Sequence, residues 1–124
     1  FGVGDKYFLF TDRSTEVRVV GDECLSPLYD VHCNYSPDGR WVLTDTYPDP
    51  ATHERRLLVY CPQGDLRVDL VRLYSPPEWP IPCRCDLHPR WSRDGRRICI
   101  DSAHEGSRQM YVIDVSRVVE GGTG

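Results

Sequence analysis

The sequence has no surplus of positive charge. It contains 15 lysine and arginine residues against 19 aspartate and glutamate residues, which gives a formal net charge of −4. Domains that bind nucleic acids carry a basic patch facing the phosphate groups, whereas the two signs are mixed along this chain. The composition therefore argues against a nucleic-acid partner.

Long apolar runs are absent as well. The longest, such as YFLF and LLVY, are far shorter than the roughly 20 residues needed to span a bilayer. The first ten residues, FGVGDKYFLF, lack the basic start and the small-residue cleavage site of a signal peptide. We therefore expect no membrane partner and a cytoplasmic location, with the periplasm as the alternative.

Cysteine is too sparse for a disulfide scaffold. The six cysteines amount to about half the density of such scaffolds. Several lie in apolar, strand-like runs such as RRICID, where buried free cysteine is common. The CRC at residues 83–85 lacks the second cysteine pair that a zinc site requires. We predict reduced thiols, in keeping with a cytoplasmic location.

Helical periodicity and the common catalytic motifs are also missing. No stretch of a dozen residues repeats its apolar residues at the helical period. There is no glycine-rich phosphate loop and no GxSxG nucleophile motif. The ten prolines favour short strands joined by loops. These absences predict an all-β fold.

The most informative feature that is present is a repeat. DVHCNYSPDGRWVLTDT at residues 30–46 matches DLHPRWSRDGRRICIDS at residues 86–102 with one constant offset and no gap. Each copy contains an Asp-Gly pair, in which glycine supplies the positive φ of a tight hairpin turn. The flanking segments are rich in β-branched and aromatic residues, as in strands. Further strands are predicted at 6–20, 55–61, 66–74 and 108–115.

Repeated units of four antiparallel strands predict a β-propeller. Residues 30–84 then form one full blade, residues 85–124 a blade that lacks its outer strand, and residues 1–29 the strands of a preceding blade. These two and a half blades are fewer than the roughly four to eight that close a ring. We expect the chain to form a homo-oligomer or to belong to a longer propeller. The alternative is a segment without independent activity.

The histidines mark one rim of the predicted blades. His32 and His88 begin the first strand of each copy, at the end opposite the Asp-Gly turns, and His53 and His104 fall in loops on that same side. Imidazole groups that converge on a channel mouth can hold a divalent metal or transfer protons. We predict His32 and His88 as metal ligands, with His104 as a further candidate.

Four charged residues on this rim are candidates for substrate binding. Arg90 and Arg108 carry guanidinium groups, which can hold a carboxylate through two parallel hydrogen bonds. Asp45 and Asp101 end the second strand of each copy, where a carboxylate can alternatively cap loop amides. The repeated histidines have a structural alternative too, because such residues can hydrogen-bond neighbouring blades.

Two sets of sequence segments resemble known propeller families. YSPDGRWVLTDT and WSRDGRRICIDS resemble the Tol-type PD-repeat propellers, and HCNYSPDGRW, CDLHPRWSRDG and DSAHEGSRQMY are most similar to the oligogalacturonate lyase family. The resemblance covers roughly residues 5–116. That family has a seven-bladed propeller whose central histidines, with a glutamine, hold a manganese-type ion. It implies that His32 and His88 are ligands, while Cys83 and Asp86 stand where the family has the glutamine and a further histidine.

The resemblance leaves two functions open. One is metal-dependent β-elimination on acidic oligosaccharides, in which a cation polarises the uronate carboxylate while a base removes the neighbouring proton. No residue of this sequence matches that base. The other is a non-catalytic, Tol-like propeller that binds a protein or a glycan, since the same blade serves both purposes.

Overall fold

The computed structural model of the protein describes residues 2–3, 6–25 and 32–121. Three antiparallel sheets follow one another along the chain. The first contains β1 (Gly2–Val3), β2 (Lys6–Phe10) and β3 (Val17–Val20), followed by the short helix α1 (Asp22–Leu25). Asp30 and Val31, which open the first copy of the repeat, lie outside the described residues.

The other two sheets each contain one copy of the repeat. The middle sheet has the order β4 (Cys33–Tyr35), β5 (Val42–Asp45), β6 (Glu54–Cys61) and β7 (Leu66–Tyr74). The third contains β8 (Arg90–Trp91), β9 (Arg97–Ser102) and β10 (Gln109–Asp114). A 3-10 helix at Ile81–Cys83 lies between them, and helix α2 (Ser116–Gly121) follows β10. The all-β prediction is confirmed.

Both Asp-Gly pairs form the predicted hairpin turns. Gly39 and Gly95 adopt φ values of +71° and +68°, which a side chain would disfavour. In the first turn the Ser36 hydroxyl donates to Asp38 and accepts from the Trp41 N–H, while Asp38 also accepts from the Arg40 N–H. The second turn repeats each of these bonds from Ser92 onward. The repeat in sequence is therefore a repeat in local structure.

The middle sheet is covered on both faces, because the alternation of side chains sends neighbouring residues to opposite sides. One face packs on the third sheet through a cluster that contains Trp41, Leu43, Leu57, Val59, Cys61, Leu87, Ile98, Ile100 and Val115. The other face packs on the first sheet and α1 through Tyr7, Leu25, Val42, Leu58 and Tyr60. The three sheets are thus stacked in chain order.

Several details differ from the sequence-based expectations. The first sheet contains β1 in addition to the strands expected within 6–20, and helices α1 and α2 were not expected. Each helix has six residues or fewer, too few for helical periodicity to stand out. No sheet in the described ranges closes on itself, so the propeller ring stays a prediction.

Two expectations from composition can be compared with the structure. The six cysteines, all of which lie in described segments, are unpaired, as predicted. Among the described residues, no helix has the length and apolar character needed to cross a bilayer.

Candidate functional site

The two repeated histidines are neighbours in space. His32 directly precedes β4 and His88 lies two residues before β8, so each comes from a different sheet. Their ring centroids are 4.4 Å apart and their planes cross at 67°, and both side chains reach the surface. The expectation that the repeat brings these imidazoles together is confirmed, and metal binding stays a prediction.

Asp86 completes a group of three possible metal ligands. One ligand atom from each of His32, Asp86 and His88 lies within 4.8 Å of the others. Because bonds to histidine nitrogen or carboxylate oxygen are about 2.1 Å long, ligands on one ion stand roughly 3–3.5 Å apart. The three groups would therefore have to approach one another to share a single cation.

His32 is held by the carboxylate of Asp45. One oxygen of Asp45 accepts from the His32 backbone N–H at 2.8 Å, and both oxygens lie 3.1–3.2 Å from Nδ1 of the ring. The Asp45 side chain is only 2% exposed, whereas that of His32 is 45% exposed. The ring therefore has its Nδ1 side fixed against the protein, which leaves Nε2 as the nitrogen that can face a ligand. Because it is buried, Asp45 contacts His32 rather than offering a surface for substrate.

Asp86 is neutralised by two arginines. Arg55 Nη2 lies 2.6 Å from Asp86 Oδ1 in an ion pair that is not a straight hydrogen bond. Arg84 contacts both carboxylate oxygens at 2.9 and 3.0 Å, and this contact raises the pKa of Arg84. Two positive charges on one carboxylate weaken its pull on a further cation. As a candidate third ligand, Asp86 would therefore bind a cation less strongly than a free carboxylate.

The second copy of the repeat binds its aspartate differently. Asp101 accepts two hydrogen bonds from Arg90, at 3.1 and 3.3 Å, and raises the pKa of that guanidinium. Arg90 also donates to the backbone carbonyl of His88. Within the described part of the chain, no hydrogen bond joins Asp101 to the His88 ring. The two predicted substrate-binding residues of this copy therefore pair with each other.

His104 does not belong to the three-residue group. Its Nδ1 lies 2.9 Å from the Ser102 hydroxyl, and its ring packs on Tyr111 with centroids 4.6 Å apart. The Tyr111 hydroxyl donates to Glu105, which raises the pKa of Tyr111 to about 12. Its described contacts are all local, and its role as a ligand stays a prediction.

Arg108 fastens the segment that carries Asp86. Its guanidinium donates to the backbone carbonyls of Cys83 and Arg84. This arginine was predicted to bind substrate, and its present contacts instead hold the chain just before the site. Arg55 and Arg84 are the residues that sequence reasoning missed. In the sequence, Arg55 stands at the start of an apolar strand and Arg84 lies inside CRC. Neither position indicates that the arginine pairs with Asp86.

Comparison with known proteins adds no family assignment. No protein-family model matches the chain, and no curated protein matches it.

Proposed function

We propose that the chain is a segment of a β-propeller that binds a divalent cation of the manganese type through His32, His88 and Asp86. The observation that carries the proposal is the contact between two imidazoles from neighbouring sheets, with a carboxylate oxygen inside the same 4.8 Å. Imidazole and carboxylate together suit first-row divalent metals. The stacking of successive four- and three-stranded sheets supports the propeller.

The ligand that best suits such a site is an acidic oligosaccharide. The side chains of Arg84 and Arg90 are 38% and 44% exposed even though each is paired with an aspartate. Each guanidinium has five N–H donors in total. Arg90 already makes four hydrogen bonds, to the His88 carbonyl, both Asp101 oxygens and the Cys99 sulfur, so the donors left for a sugar carboxylate belong mainly to Arg84. A bound cation would polarise that carboxylate and stabilise the charge that develops when a neighbouring proton is removed.

Metal binding can be tested by calorimetry with Mn²⁺ on the purified chain. We expect His32→Ala and His88→Ala each to weaken binding by at least tenfold, because each removes one ligand, and the double variant to abolish it. His104→Ala is the matched control and should bind as the original protein does. Equal affinities in the double variant and the original protein, or no Mn²⁺ uptake by the original protein, would refute the proposed site.

The second candidate is a non-catalytic propeller that binds a glycan or a protein. It is favoured by the hydrogen bond between His32 and Asp45, since a purely structural histidine has the same contact. Incubation with oligogalacturonate and Mn²⁺ separates the two. Unsaturated product, detected by its ultraviolet absorbance, supports the lyase, whereas sugar binding without product supports the binding module.

A further inference from the structure

We propose that Asp45 is a positioning residue that holds the His32 ring in the orientation of a metal ligand. In the second copy of the repeat, no corresponding carboxylate among the described residues orients the His88 ring. The two repeated histidines would then have unequal roles despite their matching places in sequence. The inference rests on the proposed function for the statement that His32 is a ligand. The tautomer it assigns to His32 can be tested without any metal.

The first copy contains a complete orienting pair. Asp45 is almost fully buried, and a buried carboxylate requires donors close by. The His32 backbone N–H supplies one donor, at 2.8 Å, and Nδ1 lies within 3.2 Å of both oxygens. In the neutral ring this arrangement favours the tautomer with the proton on Nδ1, whose Nε2 lone pair is free to bind a metal.

The second copy differs from the first near its histidine: Pro89 replaces Cys33, Arg90 replaces Asn34, and His88 has a φ of +40°. At the constant offset of the repeat, Asp101 corresponds to Asp45 and Arg90 corresponds to Asn34. The Asn34 amide donates to the carbonyl of Pro89, which directly precedes β8, at 3.0 Å, and Asp45 contacts His32. Arg90 instead donates hydrogen bonds to both carboxylate oxygens of Asp101. The carboxylate that corresponds to the orienting one of the first copy is thus paired with Arg90 and makes no hydrogen bond to the His88 ring among the described residues.

His32 and His88 would therefore contribute differently to metal binding. His32 presents a nitrogen of fixed direction, and its contact with Asp45 is already formed before a cation arrives. The His88 ring has no orienting carboxylate among the described residues, so it must order itself when the cation binds. Loss of an outer-shell partner typically weakens metal binding by about 10- to 100-fold, and we expect that loss only in the first copy.

The test compares Asp45→Asn with Asp101→Asn, the same change at corresponding positions. In Asp45→Asn the amide oxygen can still accept from the His32 backbone N–H, which turns the amide NH₂ toward Nδ1. That donor favours the tautomer with the proton on Nε2, the wrong form for a ligand. We expect Mn²⁺ affinity to fall about 10- to 100-fold in Asp45→Asn and to change less than about threefold in Asp101→Asn.

The decisive readout is the tautomer of His32 in metal-free protein, measured by long-range ¹H–¹⁵N NMR. The original protein and Asp101→Asn should carry the proton on Nδ1, and Asp45→Asn should carry it on Nε2. Equal affinity losses in both variants, or an unchanged His32 tautomer in Asp45→Asn, would overturn the proposal. If Asp45→Asn does not fold, the spectrum of the original protein decides, because a proton on Nε2 there refutes it. If no Mn²⁺ binds at all, the proposed function fails while the tautomer comparison still decides the role of Asp45.

Discussion

His88 adopts a backbone conformation that is uncommon for any residue other than glycine. Its φ is +40°, in the left-handed region that glycine tolerates and that costs other residues about 1–2 kcal/mol. The next residue is Pro89, which further restricts the backbone before it. The imidazole sits against His32 all the same. Strain of this kind persists where surrounding structure holds it, and it is concentrated at functional sites.

The strain at His88 predicts a difference between two substitutions that both remove the imidazole. His88→Gly should be more stable than His88→Ala by about 1 kcal/mol, because only glycine adopts a positive φ without steric cost. Urea denaturation of the two variants measures this difference directly. A variant with alanine that is as stable as the variant with glycine would show that the backbone at His88 is not strained.

The Ser-x-Asp-Gly turn is the element on which the repeat is built. In each copy the serine hydroxyl and a backbone N–H donate to the aspartate, and these bonds lower the pKa of Asp38 and Asp94. The surroundings of the two turns differ. Ser36 and the Trp41 N–H it accepts from are buried, whereas the Arg97 N–H that Ser92 accepts from is exposed.

Burial therefore predicts unequal costs for the same change in the two turns. Ser36→Ala should destabilise the fold by about 1–3 kcal/mol, because it leaves the buried Trp41 N–H without its partner. Ser92→Ala serves as the matched control and should cost less, since water can replace the lost bond at Arg97. Thermal or urea unfolding of the pair gives the comparison, and a larger loss in Ser92→Ala would contradict this account of the turns.

The molecule as a whole is held together between its sheets as well as within them. Arg55 projects from β6 of the middle sheet with a side chain only 3% exposed, and its ion pair with Asp86 ties that sheet to the segment leading into β8. Arg55 also donates to the Ser75 hydroxyl and the Thr46 carbonyl. This buried junction lies two residues from His88, so it positions the candidate site.

Removal of Arg55 should be far more damaging than removal of Arg84, although both pair with Asp86. Arg55→Met removes the buried positive charge that pairs with the largely buried carboxylate of Asp86, and breaking such a pair costs about 3 kcal/mol or more. Arg84→Met removes a partly exposed partner and should cost about 1 kcal/mol or less. Denaturation midpoints measure both. Similar losses for the two variants would mean that the Arg55 pair does not hold the sheets together.

Apolar side chains are exposed on the outer faces of the first and third sheets, among the described residues. Phe10, Val17 and Val19 are exposed on the first sheet, and Met110 and Val112 are exposed on the third. A further sheet on each side would bury them, as the middle sheet is buried by its neighbours. The exposed ends thus support the proposal of a larger ring.

Short-range chemistry made much of this fold predictable. The strand at Leu66–Tyr74 and both Asp-Gly turns were identified from β-branched and aromatic content and from the need for a positive φ. The contact between His32 and His88 was also predictable, because equal places in successive repeated sheets lie side by side. Each of these inferences needs only neighbours in sequence or one repeat offset.

The partners of the charged residues became known only from the folded chain. The sequence shows Arg90 in the second copy where the first has Asn34, but both aspartates occupy the same place in the repeat, and only the fold shows that Asp45 faces His32 while Asp101 faces Arg90. The ion pair of Arg55 with Asp86 joins residues from different sheets. Such contacts depend on how the sheets stack and on which donor reaches a buried carboxylate first, and that is a property of three-dimensional packing that local pattern does not encode.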